Sequence, residues 1–301
     1  MNSRKFIKYG SLVLAFALII GLFSAVGFAE EKRTKIKFGV APYTDALSLA
    51  SLLNYMLEER LDMDVNIINT NLGASYQAVA TKSEDLHLTS WLPETHKNYW
   101  EKVASDVTVF GIIHEHAEMC WAVPDYVPKE KLDSIPDMGK PEVKEKLNGK
   151  IFGISAGAGE MQISEKMMEE YEALDDYNLI PASDVSMVAQ LDRKIKRDEW
   201  AVVTLWRPHF AWNRYDIRCL KHPKGFLGTE ERSQLIGRND FVDIYPDKVS
   251  TALSRFWLPI EKVDELTEMY GEYEEATGKK FAEKYPEMMD YWVNGYEAVR
   301  G

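Results

Sequence analysis

Basic residues are scarce: 36 Lys and Arg stand against 48 Asp and Glu in a chain of 301 residues, a formal charge of −12. That balance excludes nucleic acid as a partner, because phosphate binding needs a concentration of cationic side chains. Cysteine is nearly absent, with Cys120 and Cys219 alone, and a chain of this size does not need a disulfide to hold its core. No H-E-x-x-H or P-loop pattern occurs, which removes the commonest signatures of zinc proteases and nucleotide-binding enzymes. After residue 29 no apolar run is long enough to cross a bilayer.

What is present is apolar substance. Hydrophobic residues make up 46% of the chain, with 8 Trp and 15 Tyr, enough for two cores and incompatible with intrinsic disorder. At about 150 residues per domain the length suggests two domains. Residues 1–29 stand apart as an export signal: Arg4, Lys5 and Lys8 precede an apolar run from Gly10 to Ala29, with Gly27 and Ala29 at cleavage-site positions. Removing them leaves 272 residues at −15. If uncleaved, the run serves as a membrane tether. No cysteine lies near it to carry a lipid, so the protein is expected to be periplasmic or tethered outside the cytoplasm.

From Lys35 short extended runs alternate with helical ones. Ile36–Ala41, Val65–Asn69 and Leu86–Ser90 read as strands, Ala46–Glu59 and Ser75–Thr81 as helices. After a polar stretch over Val127–Pro141 a second series begins, with strands over Lys150–Ile154 and Ala201–Leu205 and helices over Gly159–Leu174 and Ser183–Lys196. The C-terminal part from Pro246 reads as helical, with Tyr270, Tyr273, Phe281, Tyr285, Tyr291, Trp292 and Tyr296 at helix-like spacing and expected in the core. This is an α/β pattern of parallel sheets flanked by helices, in which ligands bind beyond the C-terminal ends of strands.

The residues at those ends are informative. Thr89-Ser-Trp91-Leu-Pro93 follows one strand and Thr204-Leu-Trp206-Arg-Pro208 another, the same T-x-W-x-P once in each half. Tyr43 follows the first strand, and Gly157-Ala-Gly159-Glu160 opens a helix in the second half. A cleft lined by Tyr43, Trp91 and Trp206 suits a quaternary ammonium, whose charge has no N–H to donate and is held by the negative faces of rings. Each ring contributes about 0.5–2 kcal/mol, less in sum than the roughly 8.2 kcal/mol of micromolar binding. The free amides of the glycine turn and His96 are therefore expected to hold a carboxylate at the ligand's other end.

Over Lys35 to Val299 the chain resembles the substrate-binding proteins of glycine betaine and proline betaine ABC importers, the OpuAC and ProX type. The resemblance is carried by Trp91-Leu-Pro-Glu-Thr-His96-Lys, by Phe152-Gly-Ile-Ser-Ala-Gly-Ala-Gly159, and by Trp206-Arg-Pro-His209 with Arg214-Tyr215 and Leu220 and Pro223. It implies Trp91 and Trp206 as box tryptophans, His96 as the carboxylate histidine and Gly159 with Glu160 as the amide pair. His209 is an additional candidate. Tyr43 stands where the nearest subgroup has a third Trp. Glu160 replaces a common apolar residue and is expected to turn its carboxylate outward.

The resemblance further implies a two-lobed type II periplasmic-binding fold with a two-strand hinge near 119–123 and 217–221. Lobe I would be 35–118 with 222–301, and lobe II 122–217. Cys120 and Cys219 then fall on neighbouring hinge strands, as a disulfide or as two buried thiols. The implied function is non-enzymatic: a monomer that delivers glycine betaine to a membrane permease for osmoprotection, with no cofactor and no metal. Alternatives are a choline, carnitine or dimethylsulfoniopropionate binder. Less favoured are a metal protein, using His114, His116, Glu118 and Cys120 on one face of a strand, and an enzyme using His96 and His209 as acid and base.

Overall fold

The computed structural model describes residues 32–228 and 230–296, so the expected export signal lies outside the described residues. Among the described residues nine strands are formed: β1 (Lys35–Val40), β2 (Asp64–Asn69), β3 (Leu86–Leu92), β4 (Val107–Pro124), β5 (Lys150–Phe152), β6 (Asn178–Ile180), β7 (Val203–Arg207), β8 (Ile217–Cys219) and β9 (Glu231–Arg238). The helices of eight or more residues are α1 (Thr44–Tyr55), α2 (Leu72–Ala80), α3 (Gly159–Glu170), α4 (Asp184–Ile195), α5 (Asp247–Arg255), α6 (Ile260–Tyr273), α7 (Thr277–Lys284) and α8 (Pro286–Asn294). None of the described helices is long and apolar enough to cross a membrane.

The strands run in the order β2-β1-β3-β9-β4-β7-β5-β6, with β8 also on β4. The βα units pair in parallel, β1 with β2 and β3, and β5 with β6 and β7. Between these two parallel groups lie β4 and β9, which pair antiparallel with each other and with their neighbours. The sheet is thus mixed, and its centre consists of elements that do not follow the βα alternation. Strand β4 bridges both groups: residues 107–117 pair with β9 and residues 118–124 with β7 and β8.

Two hydrophobic clusters follow this division. One packs Phe38, Leu49, Leu53, Phe241, Phe281 and Trp292 around the first group, and the other packs Trp121, Ile151, Met187, Leu191, Val203 and Leu205 around the second. Tyr43 packs against both. Trp91, carried by β3 of the first group, is buried in the second cluster, so its ring crosses the cleft. Strand β3 is buried at all seven positions, and two of its polar side chains find partners. Ser75 Oγ is 2.7 Å from His87 Nδ1, and the Tyr76 hydroxyl is 2.5 Å from Ser90 Oγ, which satisfies groups that burial would otherwise penalise.

Cys120 and Cys219 form a disulfide with Cα atoms 5.6 Å apart. The register of β8 on β4 places Cys219 opposite Ala122, two residues from Cys120. Two readings of the sequence are corrected. His114 and His116 do not share a face: the ladder shifts register between His114 and Ala117 and His116 adopts a positive φ of 62°. His114 is consequently buried while His116 is exposed, the re-aiming that a bulge produces; among the described residues no group of His, Cys, Asp and Glu could hold a metal. Of the C-terminal aromatics, Phe281 and Trp292 are core, but Tyr273 and Tyr296 are exposed, because helix-like spacing alone does not fix which face of a helix is covered.

The helix that carries the start of the cleft is set by close packing. α1 holds Ala46, Ser48, Ala50 and Ser51 buried, small residues that let α7 approach. At Gly278 of α7 the amide donates to Ser51 Oγ at 2.9 Å, and a Cβ there would overlap the Ser51 carbonyl. Gly278→Ala should therefore cost about 1–3 kcal/mol of stability through overpacking, read as a lower denaturant midpoint; an unchanged midpoint would show that α1 can move freely.

Candidate ligand-binding site

The C-terminal ends of β1, β3 and β7 and the start of α3 converge on one cavity. It contains about 410 Å³ of empty space, part of it open to solvent, and is lined by Tyr43, Asp45, Trp91, Thr95, His96, Met119, Gly159, Glu160 and Trp206 among others. All three expected rings are in its wall, as are His96, Gly159 and Glu160.

Each ring is positioned by its element. Trp91 follows a register shift in β3 between His87 and Ser90, with Thr89 at a φ of 60°, and its ring meets His114 edge-on at 6.0 Å. Trp206 lies at the equivalent point of β7. In both copies of the repeated motif the peptide before the proline, Leu92-Pro93 and Arg207-Pro208, is cis. Tyr43 is the residue before α1, in extended conformation, and meets Trp206 at 5.9 Å with planes 76° apart. Edge-to-face rings of this kind present their faces in different directions, as a box around a cation requires.

Polar contacts cross between the two strand groups. The Tyr43 hydroxyl is 2.6 Å from Ser155 Oγ. The Thr44 amide and hydroxyl both donate to Asp184 Oδ2, at 2.9 and 2.6 Å. The Trp206 indole N–H donates to Asp45 Oδ1 at 3.1 Å, which fixes the ring's rotation. His209 does not line the cavity. Its Nδ1 accepts the Ala211 amide at 3.0 Å, which leaves the proton on Nε2 to donate to Asp184 Oδ1, also at 3.0 Å. Burial alone would raise Asp184, but the hydrogen bonds from His209 and Thr44 outweigh it and hold this carboxyl below its usual range. The edge of the His209 system also packs against Trp206, with ring centroids 4.8 Å apart. His209 therefore backs the Trp206 ring.

His96 is held by its own strand end. The Trp91 amide donates to His96 Nδ1 at 3.0 Å, so the neutral ring carries its proton on Nε2, the free donor in the cavity wall. Burial, and then the neighbouring His87, push its pKa well below the usual value, so it acts as an uncharged donor. The turn that presents it is anchored by Glu231 of β9, whose Oε1 accepts from the Thr95 amide and hydroxyl, both at 3.0 Å, and from the Glu94 amide at 3.2 Å.

Opposite His96, α3 begins at Gly159 with Ala158 as its N-cap residue and no side-chain cap. The first amides of the helix are left for a ligand oxygen. A Cβ on Gly159 would overlap the Thr95 carbonyl, so glycine here also lets the two sides of the cleft touch. Glu160 is a correction. It does not turn outward: it is 3% exposed, lines the cavity, and neither carboxyl oxygen has a hydrogen-bond partner among the described residues. As the second residue of a helix whose first residue abuts Thr95, its side chain has no route to solvent. Burial, with the nearby charge of Asp184, raises its pKa well above the usual value, opposed by the Leu205 amide, which lies near the carboxyl but outside hydrogen-bond geometry.

Asp45, Thr95 and Glu231 are the site residues that the sequence reading missed. Asp45 stands two residues past Tyr43, where an acid ordinarily reads as a complement to the helix dipole. It is buried instead, and burial followed by the charge of Asp184 raises its pKa to about 7. From the contact at Thr95, Gly159→Ala should weaken ligand binding at least tenfold while leaving the melting temperature within a few degrees, by calorimetry on both counts; unchanged affinity would mean that the two sides need not meet.

Comparison with known proteins places this geometry. A solved structure of lactococcal OpuAC, in its closed-liganded conformation with glycine betaine, is 27% identical and superposes with a TM-score of 0.79, covering 87% of this chain and 100% of that one. The glycine betaine and L-proline binding protein ProX from Borrelia burgdorferi is 28% identical with a TM-score of 0.79, over 88% and 98% of the two chains. Among curated proteins, the glycine betaine/carnitine transport binding protein GbuC of Listeria monocytogenes is 29% identical over 168 residues, 55% of this chain and 56% of that protein, so the match spans little more than half of that relative's length. The fold is the two-lobed type II periplasmic-binding fold. Residues 34–289 match the family model described as the substrate-binding domain of ABC-type glycine betaine transport systems, and with its rings, helix start and histidine gathered at one cleft, the chain belongs to the OpuAC family.

Proposed function

We propose that this protein binds a quaternary ammonium solute of the glycine betaine type and delivers it to the permease of an ABC importer outside the cytoplasm. The observation that carries the reading is the convergence of Tyr43, Trp91 and Trp206, from opposite sides of the cleft, on one cavity. A permanent cation without N–H groups is bound by ring faces, and a cavity with no Lys or Arg in its wall offers it no repulsion. The His96 Nε2–H and the first amides of α3 take the oxygen at the ligand's other end.

In this reading the lobes are residues 35–118 with 222–301 and residues 122–217, joined near 119–123 and 217–221, and they close around the ligand as a hinge. Support comes from the division of hydrophobic clusters along β4 and from the contacts of Tyr43, Thr44 and Asp45 across the cleft. Release would then require those contacts to open together. The protein acts as a monomer and carries out no chemistry on its ligand, in keeping with a His96 and a His209 whose accepting nitrogens are already occupied by main-chain amides.

Calorimetric titration against glycine betaine, proline betaine, choline, carnitine and dimethylsulfoniopropionate tests the reading. At least one should bind with micromolar or tighter affinity and be recovered unchanged. Trp91→Ala and Trp206→Ala should each weaken binding of that ligand at least tenfold, Tyr43→Phe distinctly less, and His96→Ala at least tenfold, about 1.4 kcal/mol. Near-normal affinity in either tryptophan variant would refute the box.

A further inference from the structure

Taking the ring box as the ammonium site, we propose that Glu160 is the residue by which this cavity chooses among methylated ammonium compounds: its buried carboxyl is the counter-charge for a ligand that has no carboxylate of its own, so that a hydroxyl-bearing cation such as choline is taken at least as well as a zwitterionic betaine.

The charge inventory of the cavity is one-sided. Its wall contains two carboxyls, Asp45 and Glu160, and no Lys or Arg, and its one imidazole, His96, is an uncharged donor. Asp45 is engaged by the Trp206 indole. Glu160 has no partner for either oxygen and is sealed from bulk solvent, an arrangement that is costly unless something in the working site answers it. The groups that bear on it are the Leu205 amide from β7, which favours its charged form, and Asp184 from α4, which disfavours it. Asp45 and Tyr43 stand at the head of α1 and His96 at the end of β3.

In the empty cavity burial favours the protonated form of Glu160. A ligand with a net positive charge and no carboxylate changes that balance, because an opposite charge at close range favours the ionised acid. The proton leaves to solvent and the ligand gains a counter-ion in a water-poor site. The ligand hydroxyl can then donate to an acid oxygen and accept from His96 Nε2–H. A betaine brings its own carboxylate to the same end of the site, and two carboxylates there cannot both be charged without repulsion. Glu160 must then keep its proton and serve only as a neutral donor. The first ligand gains an ion pair from Glu160 and the second does not.

The test is the ratio of dissociation constants for choline and glycine betaine, measured by calorimetry at pH 7.5 on the wild-type protein, Glu160→Gln and Glu160→Leu. The wild type should bind choline at least as tightly as glycine betaine. Each variant should move the ratio at least tenfold toward glycine betaine, mainly through weaker choline binding. Glutamine keeps shape and donor capacity, and leucine keeps volume, so the conclusion does not hang on the folding of one variant; if neither folds, the wild-type preference decides. A wild-type preference for glycine betaine, or a ratio that moves less than tenfold in a folded variant, would overturn the role of Glu160. Binding of neither ligand by the wild type would overturn this inference, and binding of none of the five solutes named above would overturn the ring box with it.

Discussion

The eighteen-residue strand β4 is the constraint on which the rest of the molecule depends. Its first part pairs with β9 and its last part with β7 and β8, so one continuous backbone belongs to both halves of the sheet. The two βα groups are tied to its ends, and the strand ends that carry Tyr43, Trp91 and Trp206 are brought to opposite sides of a single cleft. The Cys120–Cys219 bond fastens β8 to the same strand. Had the two halves been joined by loops alone, nothing would fix the distance between rings that come from residues 43 and 206.

Across that cleft three consecutive residues make polar contacts next to the rings, and Asn98 and Tyr99 add contacts to Gly157 and Gln162. Tyr43, Thr44 and Asp45 reach Ser155, Asp184 and Trp206 respectively. One element therefore contributes a ring to the cavity wall and contacts the opposite side of the cleft. Asp184 is the pivot, since it accepts from Thr44 on one oxygen and from His209 on the other, and His209 in turn packs on Trp206. Position of the ring and the contact across the cleft are thereby coupled through a single buried carboxylate, the sort of group whose value depends on every partner being present.

Much of this is legible in the sequence, and what is not has definite causes. The repeated T-x-W-x-P marks Trp91 and Trp206 because both end strands that read clearly by composition, and the glycine turn before α3 marks a helix start. Strand β9 is not legible: Glu231-Arg-Ser-Gln-Leu-Ile-Gly-Arg238 shows no alternation, because seven of its eight residues are buried regardless of polarity. The face-sharing of His114 and His116 fails at a backbone irregularity that no side-chain pattern announces. Asp45 and Glu160 read locally as helix-start acids; only contacts with distant segments bury them, Asp45 against Trp206 and the start of α3 against Thr95. Glu231, which holds the turn before His96, lies 136 residues from Thr95, and its role is a property of the assembled sheet.

The central claim is that ring faces hold a fixed positive charge. It is tested most directly by replacing the nitrogen of the tightest-binding quaternary ammonium solute with carbon, which keeps shape and removes charge, and by titrating both compounds into the protein. With three rings at about 0.5–2 kcal/mol each for the cation, the carbon isostere should bind at least tenfold more weakly. Equal affinities would mean that the cavity recognises three methyl groups by shape alone, and would contradict the account.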